Sequence, residues 1–87
     1  MTITITCYKM KNCAPCKMLA PVIEDVCKEH NVELKILDVH EYQSAAVLAS
    51  IKSAPTTIVY KDGKEIDRFS GALPRSKLVE RIITPYT

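Results

Sequence analysis

The chain has 87 residues, 47% of them hydrophobic and 25% charged, which describes one small globular domain with no room for a second. A chain of this size buries only roughly 60–65% of its unfolded surface, so it cannot spare core volume for a large internal ligand cavity. A formal charge of +2 with no run of like charges argues against a nucleic-acid partner, and apolar runs such as Ala45 to Ala49 are too short to span a membrane.

The first residues, Met1 to Thr6, alternate apolar and hydroxyl side chains and lack the charged start and continuous apolar stretch of a secretory signal. They predict a strand over 2–7, with Ile3 and Ile5 on one face, in a protein that remains in the cytoplasm. Tyr8 to Asn12 reads as a polar loop. Leu19, Val22, Ile23, Val26, Cys27 and His30 then recur at helical spacing and predict an amphipathic helix over 14–30. Pro15 fits its first turn, where the missing N–H has no partner in any case, and Pro21 predicts a kink.

Residues 34–39 predict a second strand, buried on both faces because its apolar residues do not strictly alternate. Residues 42–51 predict a shorter helix with Val47, Leu48 and Ile51 on one side. After Ala54-Pro55, the β-branched run Thr56 to Tyr60 predicts a third strand. Asp62-Gly63 is a hairpin signal that joins it to a fourth strand over 65–70. Gly71 breaks the pattern, and Pro74 opens a last helix that ends before Pro85. The order β-α-β-α-β-β-α implies an α/β fold with a four-stranded mixed sheet flanked by helices.

Four cysteines in 87 residues are too few for a disulfide-built scaffold. Cys13 and Cys16 form a close pair, whereas Cys7 and Cys27 stand apart. A Cys-x-x-Cys also begins many zinc sites, so spacing alone leaves two readings open. Its place between a strand and a helix start favours redox chemistry over a metal. Residues three apart there share a face, within reach of a disulfide. The positive helix end favours a thiolate at Cys13, while burial one turn further in disfavours charge on Cys16. One exposed nucleophile and one buried resolving thiol are what disulfide exchange requires. Lys9, Lys11 and Lys17 bracket the pair and no acidic residue precedes Glu24, so the local charge, chiefly Lys11 and Lys17, supports a thiolate.

The segment Asn12-Cys13-Ala14-Pro15-Cys16-Lys17-Met18-Leu19-Ala20-Pro21 resembles the active-site helix of the thioredoxin family, whose motif is Trp-Cys-Gly-Pro-Cys-Lys. Ala54-Pro55-Thr56 resembles that family's cis-proline loop. Lys61-Asp62-Gly63-Lys64 and Gly71-Ala72-Leu73 resemble its closing hairpin and last turn. The resemblance implies a thioredoxin-like fold and a protein-disulfide reductase with a Cys13–Cys16 redox disulfide, Cys13 attacking and Cys16 resolving. It implies a substrate surface from Tyr8, Asn12, Ala54, Pro55 and Gly71, with Pro55 cis. It also implies a monomer with no bound cofactor, whose partners are disulfide-containing proteins and a thioredoxin-reductase-type flavoenzyme delivering electrons from NADPH.

The chain departs from that pattern at three points. It is of glutaredoxin size, without a match to the family's additional N-terminal strand and helix. Asn12 stands in place of the tryptophan before the first cysteine. Cys7 stands where many thioredoxins carry a buried acid, and a neutral thiol cannot serve as that base. Cys27, on the apolar helix face, and Cys7 are expected to pack as small hydrophobes, and Tyr8 either lines the substrate surface or covers the sheet. A glutaredoxin using glutathione is the alternative, though no glycine-plus-acid segment for glutathione follows the last strand. A copper(I) carrier is a more distant one: those domains run β-α-β-β-α-β and keep a methionine where this chain has Lys11. His30 and His40 lack nearby partners for a zinc site.

Overall fold

The computed structural model describes residues 2–87; Met1, which opens the alternating run, lies outside them. The elements follow the order β1 (Ile3–Lys9), α1 (Ala14–Glu29), β2 (Glu33–Asp38), α2 (Gln43–Leu48), β3 (Thr56–Lys61), β4 (Lys64–Ser70) and α3 (Arg75–Ile82), closed by a 3₁₀ turn over Thr84–Tyr86. The four strands form one sheet in the order β2-β1-β3-β4. The pair β1–β2 is parallel, and β1–β3 and β3–β4 are antiparallel. This is the thioredoxin-like arrangement, a mixed sheet with three helices.

Strand alternation divides β1 between two cores. Ile5 and Cys7 face a large cluster with Leu19, Ile23, Val26 and Cys27 of α1 and Leu78 and Ile82 of α3. Tyr8 faces the other way, into a smaller cluster with Ala46 and Ile58. The periodic apolar positions of α1 make its inner face, as the sequence spacing requires. The helix runs through Pro21 as one element, so the proline does not break it. Arg75 at the start of α3 pairs with Asp25 and Glu29 of α1, which ties the two helices at their solvent side. Arg81 of α3 reaches Asp67 of β4 at 3.1 Å and lies 4.7 Å over the Phe69 ring.

The β3–β4 hairpin turns at Asp62-Gly63, with φ of 52° and 84°. Two successive left-handed residues match the right-handed twist of the strands, which explains the Asp-Gly choice.

Three expectations need correction. The first strand does not stop at residue 7: parallel pairing with β2 continues through Tyr8↔Leu37 to Lys9↔Asp38, so Tyr8 is strand rather than loop. β2 is not buried on both faces, because it is the sheet's edge strand; Glu33 and Lys35 are exposed and Leu34, Ile36 and Leu37 only half-buried. The helix expected over 42–51 spans only Gln43–Leu48, and it turns Ala46 inward. Val47 and Leu48 are 77% and 86% exposed, while Ile51, beyond the helix, packs against the smaller cluster.

Candidate active site

Cys13 and Cys16 are joined by a disulfide, with the sulfurs 2.30 Å apart and the Cα atoms 5.2 Å apart. The link follows from where the chain changes direction. Asn12 adopts a left-handed φ of 57°, which asparagine tolerates better than most residues, and this turns the chain off β1. Cys13 is next, extended at φ −110°, and it is the N-cap of α1. Its Sγ accepts the backbone N–H of Cys16 at 3.3 Å. A capping position is normally filled by a side-chain oxygen; here the acceptor is the sulfur that takes part in the disulfide. The arrangement aims a backbone dipole and the positive end of a 16-residue helix at Cys13 Sγ, where they stabilise negative charge.

The two cysteines differ in access. Cys13 is half-buried, whereas Cys16 is only 5% exposed. On its other side Cys13 Sγ lies 3.6 Å from the carbonyl oxygen of Ala54. The Ala54–Pro55 peptide bond is cis, the Pro55 ring is fully buried, and Ala54 is half-buried. The backbone at Ala54, not the proline ring, is therefore the part of this loop that reaches the sulfur. Gly71, left-handed at φ 86°, donates its N–H to Pro55 O at 2.9 Å and so holds the loop from behind.

The register explains why these segments meet. Tyr8 pairs with Thr56 at one end of the antiparallel β1–β3 pair, and the chain leaves β1 toward Cys13 at the same end where it enters β3 from Pro55. Asn12, Ala54, Pro55 and Gly71 thus gather around the disulfide or directly behind it. Tyr8 does not lie on a substrate surface. Its side chain is 4% exposed, because strand alternation places it opposite Cys7 in the smaller core.

Lys11, Asn12 and Lys17 are exposed, and they share with Lys9, Met10 and Cys16 a surface pocket of about 430 Å³ on the Cys16 side of the disulfide. Met10, just beyond the end of β1, and the pocket itself were not legible in the sequence. Asp38, also missed, ends β2 opposite Lys9 and is 3% exposed. Its carboxylate accepts the His40 N–H at 2.8 Å, and this hydrogen bond leads the causes that lower its pKa, with Lys11 contributing and burial opposing.

Cys7 and Cys27 are free, buried thiols in the main core. Burial raises the pKa of Cys7, partly opposed by the Thr57 hydroxyl and by Lys9. Burial, reinforced by Cys7, pushes Cys27 up to about 11. Both stay protonated at neutral pH, so Cys7 cannot act there as a base. Thr57 stands opposite Cys7 in the β1–β3 register, and its fully buried Oγ1 completes no hydrogen bond of normal geometry among the described residues. Among the described residues no three His, Cys, Asp or Glu side chains cluster as a metal site, and no helix is long and apolar enough to cross a membrane.

The family model for thioredoxin matches residues 2–84. The thioredoxin of Staphylococcus saprophyticus is 42% identical over 72 residues, covering 80% of this chain and 69% of that one. The chloroplastic thioredoxin Y2 of Arabidopsis thaliana is 40% identical over 72 residues, 43% of its own length. Among solved structures, Fasciola hepatica thioredoxin superposes with a TM-score of 0.85 at 39% identity, covering 93% of this chain and 78% of that one. Thioredoxin 1 of Thermosipho africanus superposes at 0.83 with 26% identity, covering 91% and 89%.

Proposed function

The chain belongs to the thioredoxin family and is a thiol–disulfide oxidoreductase, and we propose that it works as a cytoplasmic reductase of protein disulfides with Cys13 as nucleophile and Cys16 as resolving thiol. The observation that carries this assignment of roles is the asymmetry at the helix start. Cys13 is the more accessible sulfur and receives the Cys16 N–H, whereas Cys16 is buried beneath it.

In the reduced protein, Cys13 as thiolate attacks one sulfur of a partner disulfide. The partner S–S bond breaks, one partner thiol leaves and takes up a proton, and a mixed disulfide remains. Cys16 then loses its proton and attacks Cys13 Sγ, which releases the second partner thiol and closes Cys13–Cys16. Two electrons and two protons pass from the dithiol to the partner. The family reaction uses this redox disulfide and no prosthetic group. An extended partner segment would lie along the Ala54 backbone, the edge of the loop nearest Cys13.

We further propose that a thioredoxin-reductase-type flavoenzyme restores the dithiol with electrons from NADPH. The glutathione-dependent alternative is not favoured, since the family model and the relatives described above are thioredoxins. The element order likewise differs from the β-α-β-β-α-β of copper carriers.

The test is NADPH oxidation with insulin as disulfide substrate, supplying either thioredoxin reductase or glutathione with its reductase. Turnover is expected with thioredoxin reductase and abolished by Cys13→Ser. Turnover confined to the glutathione system would overturn the reading.

A further inference from the structure

The pocket on the Cys16 side of the disulfide has a chemistry that the exchange reaction itself does not require. Lys9, Lys11 and Lys17 converge on it, and no acidic residue lines it. The arginines of this chain are handled differently: Arg68, Arg75 and Arg81 each form an ion pair with a carboxylate. Among the described residues Lys9, Lys11 and Lys17 form none, so their charge is left unanswered beside the redox pair. Asp38 feels Lys11, but its buried carboxylate is turned to the His40 N–H and is not presented to the pocket. The α1 N-terminus, with no acidic residue in its first turn, adds positive potential from the same direction.

The pocket also has an apolar component. Met10 lines it and is 41% exposed, with Ala20 of α1 also on its wall. Methionine is unbranched and polarizable and adapts to varied apolar partners. Positive charge concentrated in a concave surface raises the local concentration of anionic ligands and their association rate.

We propose that this pocket is a recognition subsite for acidic side chains flanking the target cystine, so that the preferred partners are acidic polypeptides. The inference rests on the protein-disulfide reductase reading and adds a substrate class to it. The partner is a polypeptide because the pocket lies beside the sulfurs, where residues neighbouring the attacked cysteine must pass. Adjacent apolar residues of the same segment would then meet Met10.

The experiment compares synthetic disulfide-linked peptides that differ only in having acidic, neutral or basic residues beside the cystine, with glutathione disulfide as a fourth substrate. The readout is the ratio of kcat/KM values between substrates, because an altered Cys13 thiolate affects every substrate alike and largely cancels. At low ionic strength the acidic peptide is expected to be favoured over the neutral one by about tenfold, as for several exposed ion pairs acting together. That ratio should shrink severalfold in 0.5 M salt. The combined variant Lys9→Gln, Lys11→Gln, Lys17→Gln should bring it near one, and the corresponding arginine variant should keep it. Equal rates on acidic and neutral peptides in the wild type would overturn the subsite while leaving the reductase reading intact. A preference for glutathione disulfide over the acidic peptide would overturn the polypeptide assignment. Failure to reduce any of the peptides would instead overturn the reductase reading.

Discussion

The backbone N–H of Cys16 donates to the Sγ of Cys13 at 3.3 Å, so one cysteine caps the helix that carries the other. Helix capping and thiolate stabilisation are here the same interaction. Its strength is tied to the reaction, because the hydrogen bond is stronger to a charged sulfur than to a neutral one.

That asymmetry predicts different trapping by the two cysteine variants. Cys16→Ser should accumulate a mixed disulfide between Cys13 and a substrate protein, since no resolving thiol remains to release it. Cys13→Ser should accumulate none. Non-reducing gel electrophoresis after incubation with a disulfide substrate reads the difference. Equal trapping by the two variants would mean that the roles are reversed or shared.

The Cys27 thiol is held up at about 11 from an ordinary 9.0, chiefly by burial. Between these values the unfolded chain has lost the thiol proton and the folded chain has kept it. The folded state therefore binds more protons there, and stability falls as pH rises. The contribution is fully present below about pH 9 and gone above about pH 11, amounting to on the order of 3 kcal/mol. Urea midpoints across this window should fall less steeply for Cys27→Ala than for the wild type. Parallel curves would show that Cys27 ionises as readily in the fold as out of it.

Thr57 presents the opposite problem, a hydroxyl buried without a proper hydrogen bond. Thr57→Val keeps the branched shape and removes the polar atom, so it should stabilise the protein by about 1 kcal/mol. It also removes the hydroxyl that partly opposes the raised Cys7 pKa, so that pKa should rise further. Chemical denaturation measures the first effect and thiol titration the second. A destabilised variant would reveal that the Cys7–Thr57 contact is a working hydrogen bond.

Two leucines of identical chemistry should respond in opposite ways. Leu78 of α3 is fully buried in the main core with residues of α1 and the sheet, and Leu78→Ala should cost about 2–5 kcal/mol. Leu48 is 86% exposed, and Leu48→Ala should change stability by less than about 0.5 kcal/mol. Thermal denaturation of the pair distinguishes them. A large loss at Leu48 would mean that α2 packs with the inner face the hydrophobic pattern first suggested.

The contrast between those leucines also shows what a sequence can and cannot disclose. Helix α1 was legible because Leu19, Ile23 and Val26 repeat at the helical period and all turn inward. The cysteine pair was legible because its chemistry depends on local spacing and a helix start. The hairpin was legible because Asp62 and Gly63 satisfy a local backbone demand. Long-range facts were not. Leu34, Ile36 and Leu37 are apolar enough for a central strand, yet sheet order puts β2 at the edge. In α2, Val47 and Leu48 stay exposed while Ala45 and Ala46 pack, because a six-residue helix seats only a small face on the sheet and alanine fits closest. Tyr8 was misplaced because strand length depends on the register with a partner strand about thirty residues away in sequence.

The sheet order carries one more consequence. The segments that flank the disulfide hang from β1 and β3, the two inner strands, at the end where Tyr8 meets Thr56. Loosening the edge strand β2 would weaken the molecule without touching the contacts that set the 3.6 Å gap between Cys13 Sγ and the Ala54 oxygen, whereas β4 leads into Gly71 and through it braces the loop. Fraying and function are separated on one side only: the β2 rim can give way while the reacting groups stay seated on the inner strands.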